Sequence, residues 1–231
     1  MIIREKMGRI KVYWTAPHKI SDQYRIDALF KYKKYIKGKL LDIGCGVKPY
    51  QDILGESTDS WIGADLPYNF NGKTFADVYC RGEFLPFKNE TIDTVFSTEA
   101  LTHIPEPCLF FSESKRILKK GGILMLTCRQ TGPIVEIPND YYRFTSYGLK
   151  YLAEKNGFSI IHIDTFGGAF AVAGEHLSNH IYLIRRPLWL GKLLRLFLRV
   201  VVQFIFLALD RIFHVDDVST IGYIIIATKQ K

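Results

Sequence analysis

The run Leu40-Leu41-Asp42-Ile43-Gly44-Cys45-Gly46 combines residue types that can hold a ligand. An apolar run ending in Asp-x-Gly-x-Gly lets the backbone turn sharply beneath a bound molecule, because two positions without side chains permit close approach and unusual dihedrals. Asp65 closes the next apolar run, Trp61-Ile62-Gly63-Ala64-Asp65, where an acidic residue can take both hydroxyls of a ribose. Together these features imply a nucleoside. A dinucleotide site would want a third glycine at position 49, which is Pro49, and a P-loop would want Gly-Lys-Ser/Thr where this chain has Val47-Lys48-Pro49. Asp42 inside the turn would repel a phosphate, and it suits a cationic, amine-bearing ligand.

Two further groups could act on a second substrate. Glu99 and His103 follow the apolar run Ile92–Ser97, and Asn139-Asp140-Tyr141-Tyr142-Arg143-Phe144 follows the run Ile123–Cys128. Imidazole titrates in the range a general base needs, so His103 is a candidate base, with a structural loop role as the alternative. The second group joins a carboxylate, two phenols and a guanidinium just before a helix cap. Tyr142 and Arg143 are therefore candidates for contact with an acceptor, with loop anchoring as the alternative.

Such residues work together only if strand ends gather them. Lys39–Ile43, Ser60–Asp65, Thr91–Ser97, Ile123–Cys128, Ser159–Asp164 and Ile221–Thr228 read as short buried strands. A helix enters at Pro105 and Pro107, carries Phe110, Ser114, Ile117 and Leu118 on one stripe, and is expected to exit at Gly121-Gly122. A second begins at an N-cap, Thr145, and stops at Gly157. Alternating strands and helices predict a doubly wound α/β sheet whose functional loops leave the carboxyl ends of the strands.

Asp42 to Gly46, Asp65, Leu85-Pro86-Phe87, the strand Ile92–Ser97 with Glu99-Ala100-Leu101-Thr102-His103-Ile104-Pro105, and Leu118-Lys119-Lys120-Gly121-Gly122 stand in the order found in class I S-adenosylmethionine-dependent methyltransferases. Over residues 38–165 and the last strand, the chain resembles that family, of the type found in bacterial glycan and cell-envelope gene clusters. The resemblance implies a Rossmann-like seven-stranded sheet with an antiparallel last strand, and S-adenosyl-L-methionine as cofactor. It also implies that Asp42 and the turn Gly44, Cys45 and Gly46 face the methionine part and that Asp65 holds the ribose. Leu66, Gly82, Glu83 and Thr98 complete the implied cofactor set, and no metal is expected. The family often places an acidic residue for the adenine amine where this chain has Arg81, so adenine recognition would fall to backbone near Gly82 or to Glu83.

The resemblance implies in-line methyl transfer, by preference to oxygen on a small molecule, sugar or lipid-linked glycan. A catalytically silent nucleoside-binding or membrane-associated interaction module stays open as the alternative. No Asn-Pro-Pro-Tyr run is present, and a nucleic-acid substrate is disfavoured.

With 231 residues, 48% of them apolar, the chain can bury a core, and its four cysteines form no C-x-x-C pair. A reducing, cytoplasmic setting fits this usage, and the basic N-terminus lacks the apolar run of a secretory signal. The net charge is +8, yet residues 1–40 alone hold eleven basic and three acidic residues, and 181–211 hold six and one. The remainder is therefore acidic. Three parts are expected: a basic helical extension over 1–38, a cofactor-binding domain over 39–174 and 212–231, and a basic, hydrophobic helical insertion over 175–211.

Within that insertion, Pro187–Leu209 would place Lys192, Arg195, Arg199 and Gln203 on one polar stripe of an otherwise apolar cylinder. A membrane span is disfavoured, because two arginines would lie near mid-bilayer. Two readings remain. The helix either packs on its own domain or in a homodimer, or lies on the inner face of a membrane with its arginines toward anionic headgroups.

Overall fold

The structure, a computed structural model, describes residues 19–67, 74–183, 191–213, 215–216 and 218–230. Seven strands form one sheet: β1 (Gly38–Ile43), β2 (Thr58–Asp65), β3 (Val78–Tyr79), β4 (Ile92–Thr98), β5 (Leu118–Arg129), β6 (Phe158–Phe166) and β7 (Gly222–Lys229). Their order is β3-β2-β1-β4-β5-β7-β6, with β7 antiparallel to both neighbours. The sheet is the expected doubly wound, Rossmann-like one. The two-residue β3 is too short to be legible as an apolar run.

Strand alternation divides the core between two faces. Leu41, Leu124 and Leu126 point to one face, covered by α3 (Pro107–Ile117) and α4 (Ser146–Lys155), where Phe110, Phe111 and Phe158 are fully buried. Leu40, Ile123 and Met125 point to the other, which packs with Ile20, Ile26 and Leu29 of α1 (Lys19–Tyr32) and Ile53 of the short α2 (Gln51–Leu54).

The caps repeat the punctuation of the sequence. Pro107 opens α3, and the Thr145 hydroxyl accepts from the Gly148 amide at 3.1 Å. The exit of α3 differs from expectation. The helix stops at Ile117, because Leu118 already pairs with Ile92 in the sheet, and Gly121, at φ +71°, lies inside the irregular start of β5. Strand order reverses between β1 and β4, so the crevice outside their carboxyl ends is where an α/β sheet binds ligands.

Before β7 stands a helical hairpin, α5 (Ala169–Leu183) and α6 (Lys192–Phe213). Residues 184–190, and with them the first part of the expected Pro187–Leu209 helix, lie outside the described residues, as do residues 1–18 of the expected basic extension. Two members of the polar stripe do not face outward, as the headgroup reading required. Arg199 and Gln203 are buried: the Gln203 amide donates to the Ser178 hydroxyl at 2.9 Å, and the Arg199 guanidinium lies 4.9 Å from the centre of the Tyr182 ring. Since α5 offers a hydroxyl and an aromatic face to these groups, the stripe turns toward it and the apolar side is left exposed.

Candidate active site

The glycine turn follows β1 directly. Gly44 and Cys45 donate their amides to the Ala64 carbonyl, at 2.8 and 3.2 Å, which locks the turn onto β2. Both glycines have positive φ, +74° at Gly44 and +50° at Gly46, but they serve different ends. A Cβ at Gly44 would collide with that of Ala100, so this glycine lets the loop after β4 lean on the turn. Among the described residues, a Cβ at Gly46 would meet nothing within 4 Å, so that position opens to a ligand.

Asp65 ends β2 beside this opening. Its carboxylate accepts from the Gly46 amide at 2.8 Å and the Leu66 amide at 2.7 Å, which aims it while leaving lone pairs for other donors. Asp42 lies beneath, buried. One of its oxygens accepts from the Trp61 indole at 3.2 Å, and the other has no hydrogen-bond partner among the described residues. Burial pushes the Asp42 carboxyl up to about 7, against the indole bond, while the nearby Asp65 adds to the rise. A buried carboxylate with an unused oxygen fits an ammonium group, and the open Gly46 with the aimed Asp65 fits a ribose.

Cys45 is buried, and burial pushes its thiol up to about 12, so it fills space rather than reacts. The turn is closed from outside by a clip that the sequence did not suggest. The Phe75 amide donates to the Gly46 carbonyl at 2.8 Å, and Lys48 reaches over to the Asp77 carboxylate at 2.5 Å.

Gly82 is packed against Ile43, Ile104 and Phe110, which holds its segment beside the β1 turn. Glu83 is buried and its carboxylate takes the Arg81 guanidinium at 2.7 Å. Arg81 thus folds back onto the nearest acid. Leu66 is exposed beside Asp65, and Thr98 ends β4 opposite Thr127.

The acceptor-side loops lean on one another. Tyr141 and Tyr142 donate their amides to the Thr102 carbonyl at 3.0 and 3.3 Å, so the loop after β5 rests on the loop after β4. His103 is held at one nitrogen, Nδ1, 2.8 Å from the Asn139 carbonyl oxygen. As a donor there, Nδ1 leaves Nε2 as the nitrogen with a lone pair. Glu99 is tied into the sheet. Its oxygens accept from the Thr127 hydroxyl at 2.9 Å and Arg129 Nε at 3.1 Å, and Arg129 continues to the buried Glu175 of α5 at 2.9 Å. Nothing local links Arg129 to Glu175, 46 positions away, so this tie between β5 and α5 escapes sequence reading.

Tyr142 and Arg143 are engaged within their own surroundings. The Tyr142 hydroxyl donates to the Pro105 carbonyl at 2.9 Å. Arg143 makes a bidentate pair with Asp140, at 2.6 and 2.8 Å, and donates to the carbonyls of Tyr142 and Pro133. This geometry lets both residues shape the loop, the anchoring alternative read from the sequence. The pair also holds the Asp140 carboxyl at about 2, chiefly through its hydrogen bonds to Arg143. Arg143→Ala should therefore lose about 2 kcal/mol, the scale of hydrogen bonds to a charged group, which a thermal melt would read as roughly 4–8 °C. Because the Asp140 carboxyl is held below its ordinary value, this contribution is present near neutral pH and is lost as pH falls toward about 2. Unchanged melting with a raised KM would restore the acceptor-contact role.

Residues 41–126 match a family model described as a methyltransferase domain. Over residues 41–126 the chain carries a methyltransferase domain. A wheat (Triticum aestivum) phosphoethanolamine N-methyltransferase is 24% identical over 151 residues, which are 60% of this chain and 28% of that protein. Across the first curated relatives, the matched stretch spans between 28% and 54% of their length. Among solved structures, an S-adenosylmethionine-dependent methyltransferase from Mesorhizobium loti superposes with a TM-score of 0.57 at 14% identity, covering 91% of this chain and 100% of that one. Haemonchus contortus phosphoethanolamine N-methyltransferase 2, in complex with S-adenosyl-L-methionine, gives 0.56 at 19% identity, covering 91% and 53%. At these identities the superpositions establish the fold alone.

Proposed function

We propose that the protein transfers the methyl group of S-adenosylmethionine to a hydroxyl of a small-molecule or glycan acceptor. The observation that carries this reading is the convergence of three loops. The open Gly46 with the aimed Asp65, the His103 loop leaning on the same turn through Ala100, and the Asn139–Phe144 segment resting on Thr102 meet at one sheet edge.

Asp65 would hold the ribose hydroxyls, Asp42 and the Gly44–Gly46 turn the methionine part, and Leu66, Gly82, Glu83 and Thr98 the remainder. Bound there, S-adenosylmethionine would supply a methyl group on a positively charged sulfur, activated for in-line displacement. His103 Nε2 takes the proton of the acceptor hydroxyl as its oxygen is methylated, while Asn139 fixes the ring through Nδ1. Tyr142 and Arg143 hold the loop that carries Asn139.

An amine acceptor is the second reading, favoured by the nitrogen-methylating names of the wheat and Haemonchus relatives. Offering the purified protein paired hydroxyl and amine acceptors with labelled cofactor, and weighing the products, separates the two. Replacement of one hydrogen by methyl on neither class, despite cofactor binding, would leave a silent binding module.

Asp42 makes the cofactor step pH-dependent. An ammonium needs the ionised carboxylate, and the Asp42 carboxyl is pushed up to about 7, so affinity should fall as pH drops through 7, approaching about tenfold per pH unit. The sign for the protein's own stability is opposite. A raised carboxyl stabilises the fold below its ordinary value, and that contribution fades as pH rises through about 7. Calorimetric affinity that is flat in pH for the wild type, or equally sloped in Asp42→Asn, would remove Asp42 from the cofactor site.

A further inference from the structure

The α5–α6 hairpin is amphipathic in the inverse sense. On α6 the polar residues Arg199, Gln203 and Asp210 are buried, at 7%, 0% and 4% exposure, while Leu193, Phe197, Phe204 and Ile212 are 62–83% exposed. Those four lie on one face of the helix, which runs about 28 Å at 1.5 Å per residue. An exposed contiguous apolar surface of this size marks an interaction site.

A second apolar surface adjoins it. Ile134 and Ile137, 74% and 73% exposed, stand in the segment after β5, at the same sheet edge as the proposed active site. The base of that segment touches the hairpin, where the Thr131 hydroxyl and His176 Nε2 of α5 lie 2.9 Å apart. The segment that carries Ile134 and Ile137 thus meets the hairpin that carries the apolar α6 face.

We propose that these two surfaces seat the domain on a lipid surface, and that the methyl acceptor is drawn from it as an amphiphilic or lipid-linked molecule. The acceptor part rests on the methyltransferase reading above. Two observations favour lipid over a second copy of the chain. A protein interface of standard size carries about ten hydrogen bonds, whereas from Leu193 to Ile212 the exposed α6 face offers a single polar side chain, Arg211 near its end. Hydrocarbon asks for none. A helix-to-helix dimer would also leave Ile134 and Ile137 unused, while a lipid plane engages both surfaces. Among the described residues no helix is long and apolar enough to cross a membrane, so the hairpin would lie on the surface.

Burial of Arg199 reverses the salt dependence that outward arginines would give. Insertion of apolar side chains should survive about 1 M salt, where the Debye length is about 3 Å. The test is flotation of the full chain with phosphatidylcholine vesicles and with mixed phosphatidylcholine–phosphatidylglycerol vesicles. Binding is expected to both, to persist in high salt, and to fall about tenfold in Phe197→Asp/Phe204→Asp and in Ile134→Asp/Ile137→Asp. Melting temperature and S-adenosylmethionine affinity should hold in both variants, since all four side chains are mostly exposed.

Wild-type protein that fails to float, or that floats equally well in both variants, overturns the proposal. So does a stable dimer in sedimentation that Phe197→Asp dissolves, when no vesicles are bound; the face then belongs to a second copy. Cofactor calorimetry keeps the two readings apart. Flotation without S-adenosylmethionine binding fails the methyltransferase reading alone, and binding without flotation fails the lipid proposal alone.

Discussion

Asp65→Ala is expected to weaken S-adenosylmethionine binding by at least about a hundredfold, with the sheet intact. The carboxylate is aimed by the Gly46 and Leu66 amides and stands beside the open Gly46, so it is placed to accept from two ribose hydroxyls. Each bond to a charged acceptor is worth about 1.5–3 kcal/mol, and each 1.4 kcal/mol is tenfold in affinity. The side chain reaches no core group, so circular dichroism and melting should change little. Isothermal calorimetry decides the matter, and near-wild-type affinity in a folded Asp65→Ala protein would end the methyltransferase reading. Gly44→Val would be a poorer probe of cofactor contact. Its side chain would strike Ala100 and displace the loop after β4, so loss of binding there would report on folding of the site.

His103→Ala should lower kcat by about a hundredfold or more, the lower end of what a positioned general base contributes. The fall in rate toward acid pH should vanish as well, because a base must be unprotonated to act. Cofactor affinity should stay within a few-fold, since the ring is tied to the acceptor-side segment through the Asn139 carbonyl. A rate loss of only a few-fold with an unaltered pH profile would return His103 to a structural place in its loop. The same measurement on Glu99→Gln should behave differently. Glu99 is bonded to Thr127 and Arg129, so its replacement should act on stability through the link to Glu175 and leave the shape of the pH profile alone.

Much of the cofactor side was legible from sequence because it is local. The turn needs two glycines within three positions, the ribose acid closes the neighbouring strand, and the strands that present them are apolar runs that only a buried parallel sheet accommodates. Features set by one turn of chain or one strand end leave their mark in adjacent residues. Thr145 as a cap and the split of Leu124 and Leu126 from Ile123 and Met125 belong to the same kind.

What tertiary structure alone decided are the choices between partners distant in sequence. Periodicity placed Arg199 and Gln203 on one stripe, but its direction depended on whether anything nearby could receive polar groups, and Ser178 and Tyr182 of α5 do so. Arg143 reads equally well as an acceptor contact or an anchor, and only the fold shows its two terminal nitrogens bonded to Asp140 and two carbonyls. Gly44 and Gly46 are the same residue type two positions apart, yet Ala100 covers one and no described residue covers the other. A residue's type sets which bonds it can make, and propensity and spacing set the element it sits in. Which of those bonds is made depends on groups that the fold brings within about 3 Å from elsewhere in the chain, and that information is spread over the whole sequence.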